Sequence, residues 1–85
     1  MKNKVLVRLL VPEIDEEYSI FLSVNKKIGN LLLLLNKAIC EITNGEWKLA
    51  SDNILINKNT GQKYEANQLL LETDIRNGSE LLLLS

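Results

Sequence analysis

The chain has 85 residues, 10 basic and 11 acidic, for a formal net charge of −1, and it contains no histidine. That length predicts a single domain over residues 1–85 with a compact core, because so short a chain buries only about 60–65% of its unfolded surface. The charge balance offers no broad basic field to nucleic acid or an anionic membrane, and one cysteine without histidine makes no zinc-ligand set.

Lys4 to Val11 alternates as a first strand, with Val5, Val7, Leu9 and Val11 on one face and Leu6, Arg8 and Leu10 on the other. Pro12 ends it, since proline cannot donate to a ladder, and the acidic stretch Pro12 to Glu17 is turn-like. Tyr18 to Val24 is a second strand: Tyr18, Ile20, Leu22 and Val24 face one way, Ser19, Phe21 and Ser23 the other. The two strands form a hairpin. Asn25 is a candidate N-cap for a helix from Lys27 to Thr43. Its apolar stripe comprises Ile28, Leu31, Leu32, Leu35, Ala38, Ile39 and Ile42, and Asn44-Gly45 provides the stop. Glu46 to Asn53 is irregular. Ile54 to Ile56 is a third strand, Asn57 to Gly61 a turn, Gln62 to Tyr64 a short return strand, and Leu69 to Glu72 a helical turn. Ile75 is a lone apolar plug, Asn77-Gly78 a tight turn, and Ser79 to Leu84 the last strand. The pattern predicts a core of Val5, Val7, Ile20, Leu22, Ile28, Leu31, Leu35, Ile39, Ile54, Leu70, Ile75, Leu81 and Leu83.

No catalytic constellation, metal site or cofactor motif accompanies these elements. There is no histidine to act as a base near neutral pH and no glycine-rich phosphate loop. Asp15, Glu16 and Glu17 form a solvated hairpin loop. Cys40 reads as a small buried hydrophobe in a reducing compartment, which predicts a cytoplasmic protein. The longest apolar run in the helix, Leu31 to Leu35, is far below the roughly 20 residues a membrane span requires, so no direct membrane insertion is expected. Met1-Lys2-Asn3-Lys4 does not begin a signal peptide.

The order strand, strand, helix, strand, short strand, helical turn, strand resembles that of ubiquitin-like (β-grasp) domains. This implies an α+β fold with a mixed four- to five-stranded sheet and one main helix packed across it. The ending Leu70-x-Glu72-x-Asp74-Ile75-x-Asn77-Gly78-x-x-Leu81 and the segment Leu55-Ile56-Asn57-Lys58-Asn59 are similar to the YukD-like proteins. These are small cytoplasmic ubiquitin-like components of WXG100 (type VII) secretion systems in Gram-positive bacteria. The resemblance implies a non-enzymatic binding module that docks on secretion-system membrane components or on itself. Alternatives are an accessory subunit of a multicomponent enzyme and a sulfur carrier or modifier. Leu84-Ser85 lacks the Gly-Gly that such carrier chemistry needs, so no conjugation is expected.

The expected docking surface is the outer sheet face, which in ubiquitin-like domains resembles the usual partner-binding face. With Ile54, Leu81 and Leu83 pointing to the helix, period two turns Leu55, Leu82 and Leu84 away from it. Leu6, Arg8 and Phe21 join them, Arg8 on the rim. A contiguous leucine patch of that size marks an interface. Leu33 and Cys40 also lie off the helix core stripe. Either the Glu46 to Asn53 loop covers them, with Trp47 folding over, or they form an exposed contact.

Overall fold

The first hairpin forms as its alternation dictates. In the computed structural model, which describes residues 3–47 and 53–84, strand β1 (Lys4–Val11) and strand β2 (Glu16–Ser23) pair antiparallel, Lys4 opposite Ser23 and Val11 opposite Glu16. The connection is a single 3-10 turn, Pro12–Ile14. Asp15 closes it in the left-handed region (φ 53°), donating its N–H to the Pro12 carbonyl at 3.1 Å. A short polar side chain tolerates that conformation.

Helix α1 runs Ile28–Ile42 and buries Ile28, Leu31, Leu35 and Ile39. The expected Asn25 cap is not used. The cap residue is Lys27 and makes no side-chain bond. Instead the first helical donors are satisfied from far along the chain. The Ile28 N–H donates to the Gln68 carbonyl and the Gly29 N–H to the Ala66 carbonyl, both at 2.9 Å. Orphan donors at a helix start need partners, and here backbone supplies them. Gly29 permits that approach: a Cβ there would lie 3.2 Å from the Ala66 oxygen and Cβ. At the other end Asn44 (φ 55°) and Gly45 (φ 85°) turn left-handed, and the Gly45 N–H reaches the Cys40 carbonyl at 2.8 Å.

Strand β4 (Glu80–Leu84) lies parallel to β1, with Arg8 opposite Glu80 and Leu10 opposite Leu82. Strand β3 (Ile54–Asn57) pairs antiparallel with β4, Ile54 opposite Leu84 and Asn57 opposite Leu81. The sheet order is β2-β1-β4-β3. The expected return strand at Gln62 to Tyr64 is reduced to one bridge, Ile56 with Lys63. A 3-10 turn, Leu70–Glu72, precedes β4. The result is the expected ubiquitin-like β-grasp arrangement of a mixed sheet with one helix packed across it.

Eleven of the thirteen expected core side chains are buried, among them Leu70, Ile75, Leu81 and Leu83, all fully so. Three assignments change. Ile54 is only half-buried, and its neighbour Leu55 takes the core position at 1% exposure. Ile20 packs against the core without full burial. Ala38 and Ile42 fall outside the helix stripe and are exposed. Trp47 and Tyr64 join the core. Trp47 does so because the buried Asn36 accepts its indole N–H at 2.8 Å, and Asn36 in turn donates to the Leu32 carbonyl at 2.8 Å. The rest of the loop, residues 48–52, lies outside the described residues.

Truncating Leu35, Leu55 or Ile75 to alanine should each cost about 2–5 kcal/mol. Ile54→Ala should cost clearly less than Leu55→Ala. Denaturant titration of the four variants checks this, and equal losses at 54 and 55 would contradict the β3 register.

Candidate protein-interaction surface

The pleat of each strand fixes which side chains reach the face opposite α1. From β1 they are Leu6, Arg8 and Leu10, from β2 Ser19 and Phe21, from β4 Leu82 and Leu84, and from β3 Ile54 and Ile56. Register then groups them. Leu10, Leu82 and Ile56 form one row across three strands, and Leu84 with Ile54 forms a second row beside it. All five are half-buried. Leu6 and Phe21 stand opposite one another at the other end of the hairpin, both exposed, Phe21 at 53%.

An ion-pair row separates the two apolar groups. The Arg8 guanidinium pairs with the Glu17 carboxylate on β2, and its Nη1 lies 3.2 Å from Glu80 Oε2 on β4. Lys58 Nζ approaches the same Glu80 oxygen at 3.9 Å. Solvent-exposed pairs of this kind contribute little stability. Their effect here is on shape and specificity, because a polar band crosses the face between Leu6–Phe21 and the larger leucine–isoleucine patch.

Of the residues expected at this surface, Leu6, Arg8, Phe21, Leu82 and Leu84 do point outward. Leu55 does not: it is buried, opposite Leu83, and leaves the proposed surface. Arg8 sits between the apolar groups instead of on a rim. Ile54 and Ile56 also belong to the face, because β3 runs one residue out of phase with the expected register, and Leu10, on the same side of β1 as Leu6 and Arg8, joins them in the contact set. In Ile54-Leu55-Ile56-Asn57 the polar residue invites an outward assignment, yet Asn57 is buried. Its Oδ1 accepts the Asn59 N–H at 2.9 Å and the Thr60 N–H at 3.2 Å, and its Nδ2 donates to the Tyr64 hydroxyl at 3.2 Å. A buried amide satisfied in this way carries little penalty. The signal lay in the turn that follows, Lys58-Asn59-Thr60-Gly61, whose free N–H groups call for an asparagine side chain folded over them. Elsewhere, Leu33 is 69% exposed and Cys40 half-buried, and Trp47 turns toward Asn36.

Tyr64 holds this arrangement in place. Its hydroxyl donates to Asp74 Oδ1 at 2.5 Å while accepting from Asn57, tying β3 to the segment before β4. Burial, and next the hydrogen bond to Asp74, push the Tyr64 phenol up to about 12. Tyr18 is also raised, by burial first and then by Glu16 and Glu46. A raised phenol favours the neutral form in the fold. Its contribution is therefore complete below the unfolded value near 10 and declines as pH rises from about 10 towards 12. Tyr64→Phe should lower stability at neutral pH by about 1–3 kcal/mol, since Asn57 loses its acceptor. It should also show a shallower loss of stability above about pH 10 than the parent. Denaturant unfolding of both proteins across that range measures the difference, and Tyr18 contributes equally to each curve.

Comparison by sequence finds no match among protein-family profiles or curated proteins. Comparison by structure finds ubiquitin-like domains. A chain of the MycP5-free ESX-5 inner membrane complex (State II) superposes with a TM-score of 0.70 at 20% identity, covering 96% of this chain and 21% of that one. The EccD5 ubiquitin-like domain from Mycobacterium xenopi gives 0.68 at 18% identity, covering 95% and 92%. Caldiarchaeum subterraneum ubiquitin gives 0.67 at 15%, covering 94% and 90%. The chain therefore spans about a fifth of the first of these proteins and nearly the whole length of the other two. At these identities the likeness establishes the fold, which is ubiquitin-like.

Proposed function

We propose that this protein is a non-enzymatic docking module of a type VII secretion system, a YukD-like cytoplasmic accessory component of a Gram-positive bacterium. The observation that carries the reading is the apolar patch of Leu10, Leu82, Ile56, Leu84 and Ile54, contiguous over three strands. A contiguous apolar patch on an outward sheet face, partly open to solvent, is characteristic of protein contacts. Support for the secretion system comes from the structural likeness to an ESX-5 inner membrane complex chain and to an EccD5 ubiquitin-like domain. Among the described residues no helix is long and apolar enough to cross a membrane. The proposed partner is a cytoplasmic domain of a membrane component. Leucines of the patch insert into it, while Arg8, Glu17, Glu80 and Lys58 set the register through charge. Leu6 and Phe21 form a second contact beyond the ion-pair band.

The test is calorimetric titration of this protein against the cytoplasmic domains of the secretion-system components from the same bacterium. Each buried leucine is worth about 1.5–3 kcal/mol before the costs of association. Leu82→Ser combined with Leu84→Ser should therefore weaken binding by about tenfold to a hundredfold or more. The double variant should keep a folded near-parental circular-dichroism spectrum. Absence of binding to every component, or unchanged binding by the double variant, would overturn the reading.

A further inference from the structure

The hairpin leaves one long edge of the sheet open. Strand β2 is the terminal strand of the sheet, with nothing beyond it among the described residues. The Val24 N–H donates to the Asn3 carbonyl at 2.9 Å, which makes that opposed pair a bonded one. Antiparallel pairs alternate, so Leu22, Ile20 and Tyr18 spend their backbone groups on β1, while Ser19 and Phe21 turn theirs to the open edge. The opposite edge is different. Along β3 the Asn57 N–H donates to the Gln62 carbonyl at 2.9 Å, and the Leu55 carbonyl accepts the Tyr64 N–H at 3.1 Å. Among the described residues, only β2 therefore offers a long unoccupied ladder.

Three large apolar side chains border this edge. Phe21, Leu34 and Ile42 are 53%, 54% and 63% exposed, and they are three of the six large exposed apolar side chains among the described residues. Leu34 and Ile42 lie on the α1 side of the edge and Phe21 on its outer side, where it reaches round to share a hollow with Leu34. That hollow, at one end of the seam between β2 and α1, brings them together with Lys4 and Lys26. At the other end a second hollow brings Ile42 and Tyr18 together with Glu16 and Glu46. The seam is thus basic at one end, acidic at the other and apolar between.

We propose that two copies of this chain associate through β2, antiparallel about a two-fold axis, joining their sheets into one eight-stranded sheet. The charge pattern selects this occupant. A two-fold axis across the strand lays the Lys4–Lys26 end of each copy over the Glu16–Glu46 end of the other, so a single surface complements itself. Backbone parity agrees. An axis at Ile20 sets Ser19 of one copy opposite Phe21 of the other, in the bonded pairing that β1 leaves open. Odd-numbered side chains of both copies then stay on the outer face and even-numbered ones on the helix face. Leu34 and Ile42 of the two helices flank the new junction on the same side of the joined sheet. The main outer patch of Leu10, Leu82, Ile56, Leu84 and Ile54 remains free, and Phe21 is the one residue this interface shares with the docking surface above.

Sedimentation velocity of the full chain from low-micromolar to millimolar concentration tests it. The parent should form a reversible dimer. Lys26→Glu alone and Glu16→Lys alone should each weaken dimerisation by about tenfold or more, since each sets like charges together at both ends of the interface. An equimolar mixture of the two variants should recover the parental dimer, because each chain then carries the complement of the other. Glu46→Lys provides a second variant of the acidic end if Glu16→Lys melts early. The Phe21 amide should exchange with solvent more slowly as concentration rises. A parent that stays monomeric throughout leaves the edge to a strand from another protein and overturns the proposal. So does a mixture no tighter than its components, or a dimer abolished by Leu82→Ser with Leu84→Ser and untouched by the charge changes.

Discussion

The parallel pairing of the last strand with the first is the contact on which the rest of this structure depends. Gly78 donates its N–H to the Leu6 carbonyl and Asn77 Oδ1 accepts the Leu6 N–H, both at 2.8 Å. The Arg8 N–H then reaches the Ser79 carbonyl at 2.9 Å. Gly78 makes this possible by adopting φ 89°, a conformation that a side chain would strain. Once β4 is fixed beside β1, Leu81 and Leu83 join Val7, Leu9 and Val11 at the centre of the core, all at or near zero exposure. The outer sides of the same strands are set at the same moment, because the side-chain period along a strand is two. Bringing distant strands together costs loop-closure entropy, and the apolar surface that this pair and the helix bury between them offsets it.

Two buried polar groups refine the arrangement. Asn57 caps the turn after β3 and meets Tyr64, which meets Asp74. Asn36 meets the Trp47 indole. Each network satisfies its buried donors and acceptors and so holds a large side chain in one place. The Asn57 network has a wider consequence. It sets the phase of β3, which sends Leu55 inward and Ile54 and Ile56 outward. The apolar outer patch therefore depends on an amide on the inner face.

The surface that results has two regions of different chemistry. The outer face presents side chains, apolar in two groups with a charged band between. The β2 edge presents backbone donors and acceptors flanked by apolar side chains and by opposite charges at its ends. Face contacts and edge contacts obey different rules: the first gains from buried area and complementary shape, the second from ladder hydrogen bonds in a fixed register. A ubiquitin-like fold hosts many functions, and it is these surfaces, more than the fold, that distinguish one such domain from another.

Much of this was legible in the chain itself. Alternation in Lys4–Val11 and Tyr18–Val24 is unambiguous, since one phase is uniformly apolar and the other holds Arg8, Ser19 and Ser23, and it placed Leu6, Arg8 and Phe21 on the outer face. The helix and its Asn44-Gly45 stop followed from period and turn chemistry, as did the Asn77-Gly78 turn that launches β4. What the sequence left open were choices between locally equal options. Ile54-Leu55-Ile56 is apolar in either phase, so only pairing with β4 and the satisfaction of Asn57 decided which side faces the core. The helix start was decided by carbonyls of Ala66 and Gln68, which no reading of Asn25 to Lys27 reveals. Trp47 is buried with its indole N–H satisfied by Asn36, a partner eleven residues back that local pattern does not reveal. Local sequence determines period, turns and caps through short-range sterics and hydrogen bonding. Phase, register and the fate of buried polar groups depend on partners distant in the chain, and only the assembled tertiary structure supplies them.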